Sequence, residues 1–181
     1  MTLGFTLIEL AVVISIVAVT VAMVLPRVWH WQREARIGNL KYTHGAVHSS
    51  AVLVHAAMLA RNGQPDREPC PAGGGTADNQ LVGRGTLCTE GGLVQTHHGY
   101  PASAELGAAL PGIVGAASIG GVFRANADEL SAQGYAVSVA GPVTTIARAD
   151  APTPAQCSFT YTEPLVARTA ASISTTVISG C

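Results

Sequence analysis

Residues 5–25 read FTLIELAVVISIVAVTVAMVL, and Glu9 is the one ionisable side chain among them. An acid at the centre of a membrane helix costs roughly 2.5–3.5 kcal/mol, and somewhat less near an end, so one that is kept there has a partner or lies at headgroup depth. His44, His48 and His55 follow at intervals of four and seven, near one helical face, and three imidazoles can hold a transition metal. No acidic residue or cysteine accompanies them at helical spacing and His44 falls on an apolar seam, so structural histidines are expected and no metal site is assigned. His97 and His98, beside GYP, are expected in a loop.

Cys70, Cys88, Cys157 and Cys181 are well separated and form no CxxC pattern. Such spacing suits two disulfides in an oxidising compartment, with a zinc site or free thiols as the competing reading. Three pairings are open, of which Cys70 with Cys88 and Cys157 with Cys181 is the simplest. Each of those loops would stabilise by on the order of 3 kcal/mol in the chain-entropy picture. No Ser/His/Asp set or carboxylate pair presents itself. Asp66, Glu68, Asp78 and Glu90 read as solvated, and Asp150 and Glu163 have no evident partner. The glycines at 73–75 are followed by no Lys-Ser/Thr and make no phosphate loop. Without a CxxCH there is no haem attachment, so no cofactor and no catalytic residue is assigned.

The elements that must carry these residues follow from patterning. The chain has 181 residues, a net charge of −1 and 12% charged residues, with a mean hydropathy of +0.34. That length fits one domain with an appended element. The absence of a basic stripe argues against a nucleic-acid partner. The apolar run at 5–25 is long enough for a membrane span and too long for a cleaved signal peptide. Pro26 predicts a kink rather than a stop. Beyond it Ile37, Leu40, His44, Val47, Ala51, Val54 and Met58 are spaced 3, 4, 3, 4, 3, 4, a narrow helical seam with Arg33, Glu34, Arg36 and Lys41 off it. Asn62, Gly63 and Pro65 predict an end near Arg61. Residues 5–61 thus read as one helix of about 57 residues, ~85 Å long. Trp29, Trp31 and Tyr42 sit where an interfacial aromatic belt is expected.

Residues 62–92 read as an irregular loop stapled by Cys70 and Cys88, and a short helix is expected at 102–109. YAVSVAG, PVTTIAR, CSFTYT and STTVISG then read as about four short antiparallel strands, the last ending at Cys181. The fold class expected is α+β, a long kinked N-terminal helix packed on a small antiparallel sheet. Its division is 1–4, a leader remnant; 5–25, the membrane-length helix; 26–61, the amphipathic half; and 62–181, a globular head.

GFTLIEL with its apolar run, together with CSFTYT…SGC at the other end, resembles the bacterial type IV pilins. GAVHSSAVLVHAAML and HHGYP are similar to pilins of the mannose-sensitive haemagglutinin type. The resemblance implies cleavage between Gly4 and Phe5 by prepilin peptidase and N-methylation of Phe5. It implies a role for Glu9 in filament assembly and a disulfide loop from Cys157 to Cys181. It further implies a homopolymer handled by inner-membrane assembly machinery, anchored in inner-membrane lipid before assembly and part of an extracellular pilus after it. The freed Phe5 amine would lie four residues from Glu9, so that Glu9 can pair with it, in its own chain or a neighbour's, in low dielectric. MTLG carries none of the basic residues usual in that family's leader, while Arg27, Arg33, Arg36 and Lys41 follow the run. An upstream start or an unusually short leader is therefore expected. A pseudopilin of a type II secretion system and a signal-anchored periplasmic binding or enzyme domain are the alternatives.

Overall fold

The computed structural model describes residues 6–181, the side chains of Pro26 and Trp29 excepted. Gly4 and Phe5, the expected processing site, lie outside the described residues. Helix α1 is Leu7–Arg61, and helical backbone passes through Pro26 without a stop. It ends where the residues require it to: Asn62 and Gly63 take left-handed φ of 46° and 72°, and the Asn62 amide closes on Met58 and Leu59 carbonyls. By contacts the chain divides after Arg36, the second unit being Ile37–Cys181.

In the first unit every Leu, Ile, Val and Met of residues 7–25 is exposed. The hydroxyls there are satisfied within the helix, Ser15 Oγ donating to the Ala11 carbonyl at 2.7 Å and Thr20 Oγ1 to that of Val17 at 2.9 Å. Such a run is long and apolar enough to cross a membrane.

In the second unit the seam is the root of the core. Ile37, Leu40, Val47, Ala51, Val54 and Met58 are all buried, and His44 is half-buried on the same face. Ile37 to Ala51 pack with Ile113, Leu130, Ile146, Phe159 and Tyr161. Val54 and Met58 pack with Leu87. Two antiparallel sheets take part. The four-stranded sheet has the order β4-β5-β6-β7: Tyr135–Ala140, Val143–Arg148, Ser158–Thr162 and Ser172–Ile173. The turn between β4 and β5 is Gly141-Pro142, with Gly141 at φ 58°. The three-stranded sheet has the order β1-β2-β3: Arg84–Thr89, Gly92–His97 and Tyr100–Pro101. Helices α2 (Ile113–Ala116) and α3 (Ala127–Ala132) lie between the sheets in sequence.

Four expectations are corrected. The loop at 62–92 gives way at Arg84 to β1, because Glu90 and Gly91 close a two-residue hairpin in which Thr89 pairs with Gly92. Residues 102–109 form no helix: Gly107 takes a left-handed φ of 73°, and its amide, which a helix would aim at the Ser103 carbonyl, donates to Ala125 O instead. The last strand is Ser172–Ile173 rather than 174–180, where Val177 makes one isolated bridge to Ser158. Two sheets stand in place of one. α3, which no expectation covered, starts on a capping box of Asn126 and Glu129.

The cysteines form Cys70–Cys88 and Cys157–Cys181, and there are no free cysteines. Disulfides of this kind belong to an extracytoplasmic, oxidising compartment. Cys157 and Cys181 are both within the main core. Their paired replacement by Ala is expected to cost about 3 kcal/mol, read as a shifted urea midpoint. A loss under about 1 kcal/mol would mean that the 158–180 segment is held by its packing alone.

Candidate functional site

Two places bring charged groups into unusual surroundings, the start of α1 and the junction of the two sheets. At the first, Thr6 begins the helix: its Oγ1 accepts from the Glu9 amide at 3.3 Å and its carbonyl from the Leu10 amide at 3.2 Å. Glu9 is therefore the third helical position after a Thr cap, where the helix dipole favours a carboxylate. The carboxylate itself is exposed and has no partner among the described residues. Leu7 and Ile8, at 86% and 74% exposure, surround it with apolar surface. The combination is an acid with open coordination at one end of a bare apolar helix. Burying the large side chains of 7–25, at ~1.5 kcal/mol or more each, is worth on the order of 20 kcal/mol.

At the second place, Glu163 just past β6 is 3% exposed. Its Oε1 accepts from His97 Nδ1 at 3.0 Å and lies 3.8 Å from the Arg84 guanidinium, and its Oε2 accepts from the Ser103 amide at 2.6 Å. Its own amide donates to Pro142 O at 2.9 Å. Beside it Tyr161 Oη donates to Pro101 O at 2.6 Å. Strand β2, the 101–103 segment and the end of β6 are tied through one carboxylate, and both sheets are joined there. Ser, His and an acid meet at this point, but the Ser103 hydroxyl donates to Pro142 O at 2.8 Å and only its amide faces Glu163. The set is a clamp and not a nucleophile with its base. No spacing in the sequence pairs the Glu163 carboxylate, because the groups that donate to it lie 60 or more residues away.

Burial, and then the charges of Glu163 and Tyr100, push the Tyr161 hydroxyl well above its usual range. The neutral phenol is favoured in the fold. Below about pH 10 both folded and unfolded chains hold that proton, and above it only the unfolded chain releases it, so stability falls by up to about 1.4 kcal/mol per pH unit. Urea midpoints at about pH 9 and about pH 11 should show this fall. Tyr161→Phe should flatten it, and an equal alkaline slope in that variant would assign the loss to another group.

The remaining expected sites fall apart in space. His44 Nε2 donates to Ser174 O at 3.1 Å, edge-on to Phe159. His55 Nδ1 donates to Gly99 O and stacks on Tyr100 at 4.0 Å, while His48 is exposed. His97 ends β2 rather than lying in a loop, and stacks on His98, which sits in the turn to β3 as expected and whose Nδ1 accepts from the Gly83 amide. Three acids expected in solvent or unpaired are also placed. Asp66 takes the buried Asn79 amide at 2.8 Å and faces Arg61. Asp78 accepts from the Thr86 amide at 2.7 Å, and Asp150 pairs with Arg148 at 2.9 Å. Trp31 and Tyr42 are exposed. No family model, curated protein or solved structure matches the chain.

Proposed function

We propose that the chain is a structural subunit of a type IV pilus, of the adhesion, motility or DNA-uptake class, and not an enzyme. The observation that carries this reading is the presence, in one chain, of an exposed apolar run at residues 7–25 bearing one open carboxylate and of a disulfide-closed α+β head built on the helix from Ile37 onward. An apolar surface of that size needs lipid or copies of itself. On this reading the inner membrane covers residues 5–25 first, and prepilin peptidase cuts between Gly4 and Phe5. The assembly machinery then moves the helix into a bundle of other subunits' helices. Glu9 meets an N-methylated Phe5 amine there and fixes axial register, since a staggered subunit would leave both charges unpaired in low dielectric.

Shearing cells and separating surface material from membranes tests the reading. The chain should be recovered in the sheared fraction, beginning at a methylated Phe5 by mass spectrometry. A chain confined to the membrane fraction would contradict it and favour an anchored periplasmic domain or a secretion-system pseudopilin.

A further inference from the structure

A cleft in the head lies between helix α1, the 117–121 turn and the junction of α3 with β4, and holds about 480 Å³. Small-ligand sites run from roughly 300 to 1,000 Å³. Among the residues that line the cleft Arg148 is the one charged group, and none is an acid. Arg148 ends β5 and is only 7% exposed. A cation so deeply placed needs its N–H groups satisfied. Asp150 takes one edge of the guanidinium: its Oδ1 accepts from Nε at 3.0 Å and lies 2.9 Å from Nη2. Nη1, which carries two donors, meets no acceptor among the described residues.

The guanidinium is held from two further directions. It lies over the Tyr135 ring, 4.9 Å from the centroid. Tyr135 Oη is fixed 2.9 Å from Thr43 Oγ1, which itself donates to Asn39 O at 2.9 Å. Gly134, at φ 77°, makes the room, since a Cβ there would fall 2.6 Å from Nη2. An ion pair with Asp150 alone uses the Nε edge and gives no reason to leave Nη1 unpaired at the wall of a cleft. The rest of that wall sets the ligand's chemistry. Asn39 and Gln133 are exposed, and each side-chain amide both donates and accepts, as hydroxyl groups require of a partner. Tyr42 adds a ring that is 77% exposed, a surface for a saturated ring to lie on. One cation already paired with an acid suits a single negative charge better than the near-double charge of a phosphate.

We propose that this cleft binds an acidic sugar, a hydroxylated ring bearing one carboxylate. The carboxylate accepts from Nη1 of Arg148, and ring hydroxyls meet the amides of Asn39 and Gln133. The site belongs to the head alone and does not rest on the pilus reading.

The test is ligand-observed NMR titration of the full-length chain in micelles of lauryldimethylamine oxide, which carries neither sugar nor carboxylate. D-glucuronate is the probe. D-glucose has a hydroxymethyl in place of the carboxylate, acetate lacks the ring, and inorganic phosphate carries more charge. Glucuronate should bind at least tenfold more tightly than each of the three. Arg148→Lys, which keeps the charge and loses the fork, should weaken it at least tenfold. Asn39→Ala with Gln133→Ala removes only exposed side chains, and should weaken glucuronate at least fivefold while leaving acetate binding and the melting temperature unchanged. That double variant decides the matter if Arg148→Lys does not fold. Absence of saturable glucuronate binding, equal binding of glucuronate and glucose, or wild-type affinity in the double variant would overturn the site. Equal binding of glucuronate, acetate and phosphate would reduce it to a counter-ion on Arg148 and overturn it as well.

Discussion

Glu9→Gln is expected to leave membrane insertion and the folded head intact and to remove filaments. The charge is the only thing changed, at a position where the carboxylate has no partner among the described residues. Within one chain the substitution removes no contact that the fold depends on, because the Thr6 cap is made to the Glu9 amide and not to its side chain. In a filament core it would strand the Phe5 ammonium. Removing one member of a buried ion pair costs about 3–5 kcal/mol, which is a loss of roughly a hundredfold or more in each subunit addition. Inserting the neutral side chain into lipid is easier, so membrane levels of the chain should hold or rise. Filament yield after shearing, normalised to membrane-bound chain, reads the effect. A yield within about twofold of wild type, well under 1 kcal/mol per subunit, would remove the pairing.

The second large effect is expected in the head. Glu163→Ala removes the acceptor for the Ser103 amide and for His97, both facing inward at the junction of the sheets. Arg84 is 58% exposed and water replaces its contact, so its 3.8 Å approach contributes little. The cost comes from the buried Ser103 amide and the largely buried His97 imidazole, which lose a charged acceptor. About 3 kcal/mol is expected, read as a lower urea midpoint with an unchanged slope. Glu163→Gln, which keeps the volume and one acceptor oxygen, should lose less. A Glu163→Ala chain within about 0.5 kcal/mol of wild type would mean that the sheets are joined by apolar packing and not by the clamp.

What could be read from the sequence was whatever is periodic and local. The seam from Ile37 to Met58 was legible because a 3-4 spacing of apolar residues with charges off it has one structural meaning. β4, β5 and β6 were legible because β-branched runs were bounded by Gly-Pro and Ala-Pro breaks. The β1–β2 hairpin was not read, since its strands are RGTLCT and GLVQTH and its glycines look like loop. Its signal was the Glu90-Gly91 turn between two alternating runs. The helix expected at 102–109 failed because Gly107 turns left-handed and its amide is claimed by Ala125 O, a partner that local propensity does not announce. Glu163, the central residue of the head's polar clamp, was illegible for a related reason. Its role is fixed by chain segments distant in sequence, and no spacing announces them.

The most direct measurement is negative-stain electron microscopy of sheared surface material labelled with antibody against the 62–181 head. Thin regular filaments decorated along their length, present in wild type and missing in Glu9→Gln, are the expected result. Surface material without labelled filaments, from cells whose membranes hold the folded chain, would contradict the assembly of this helix into a pilus.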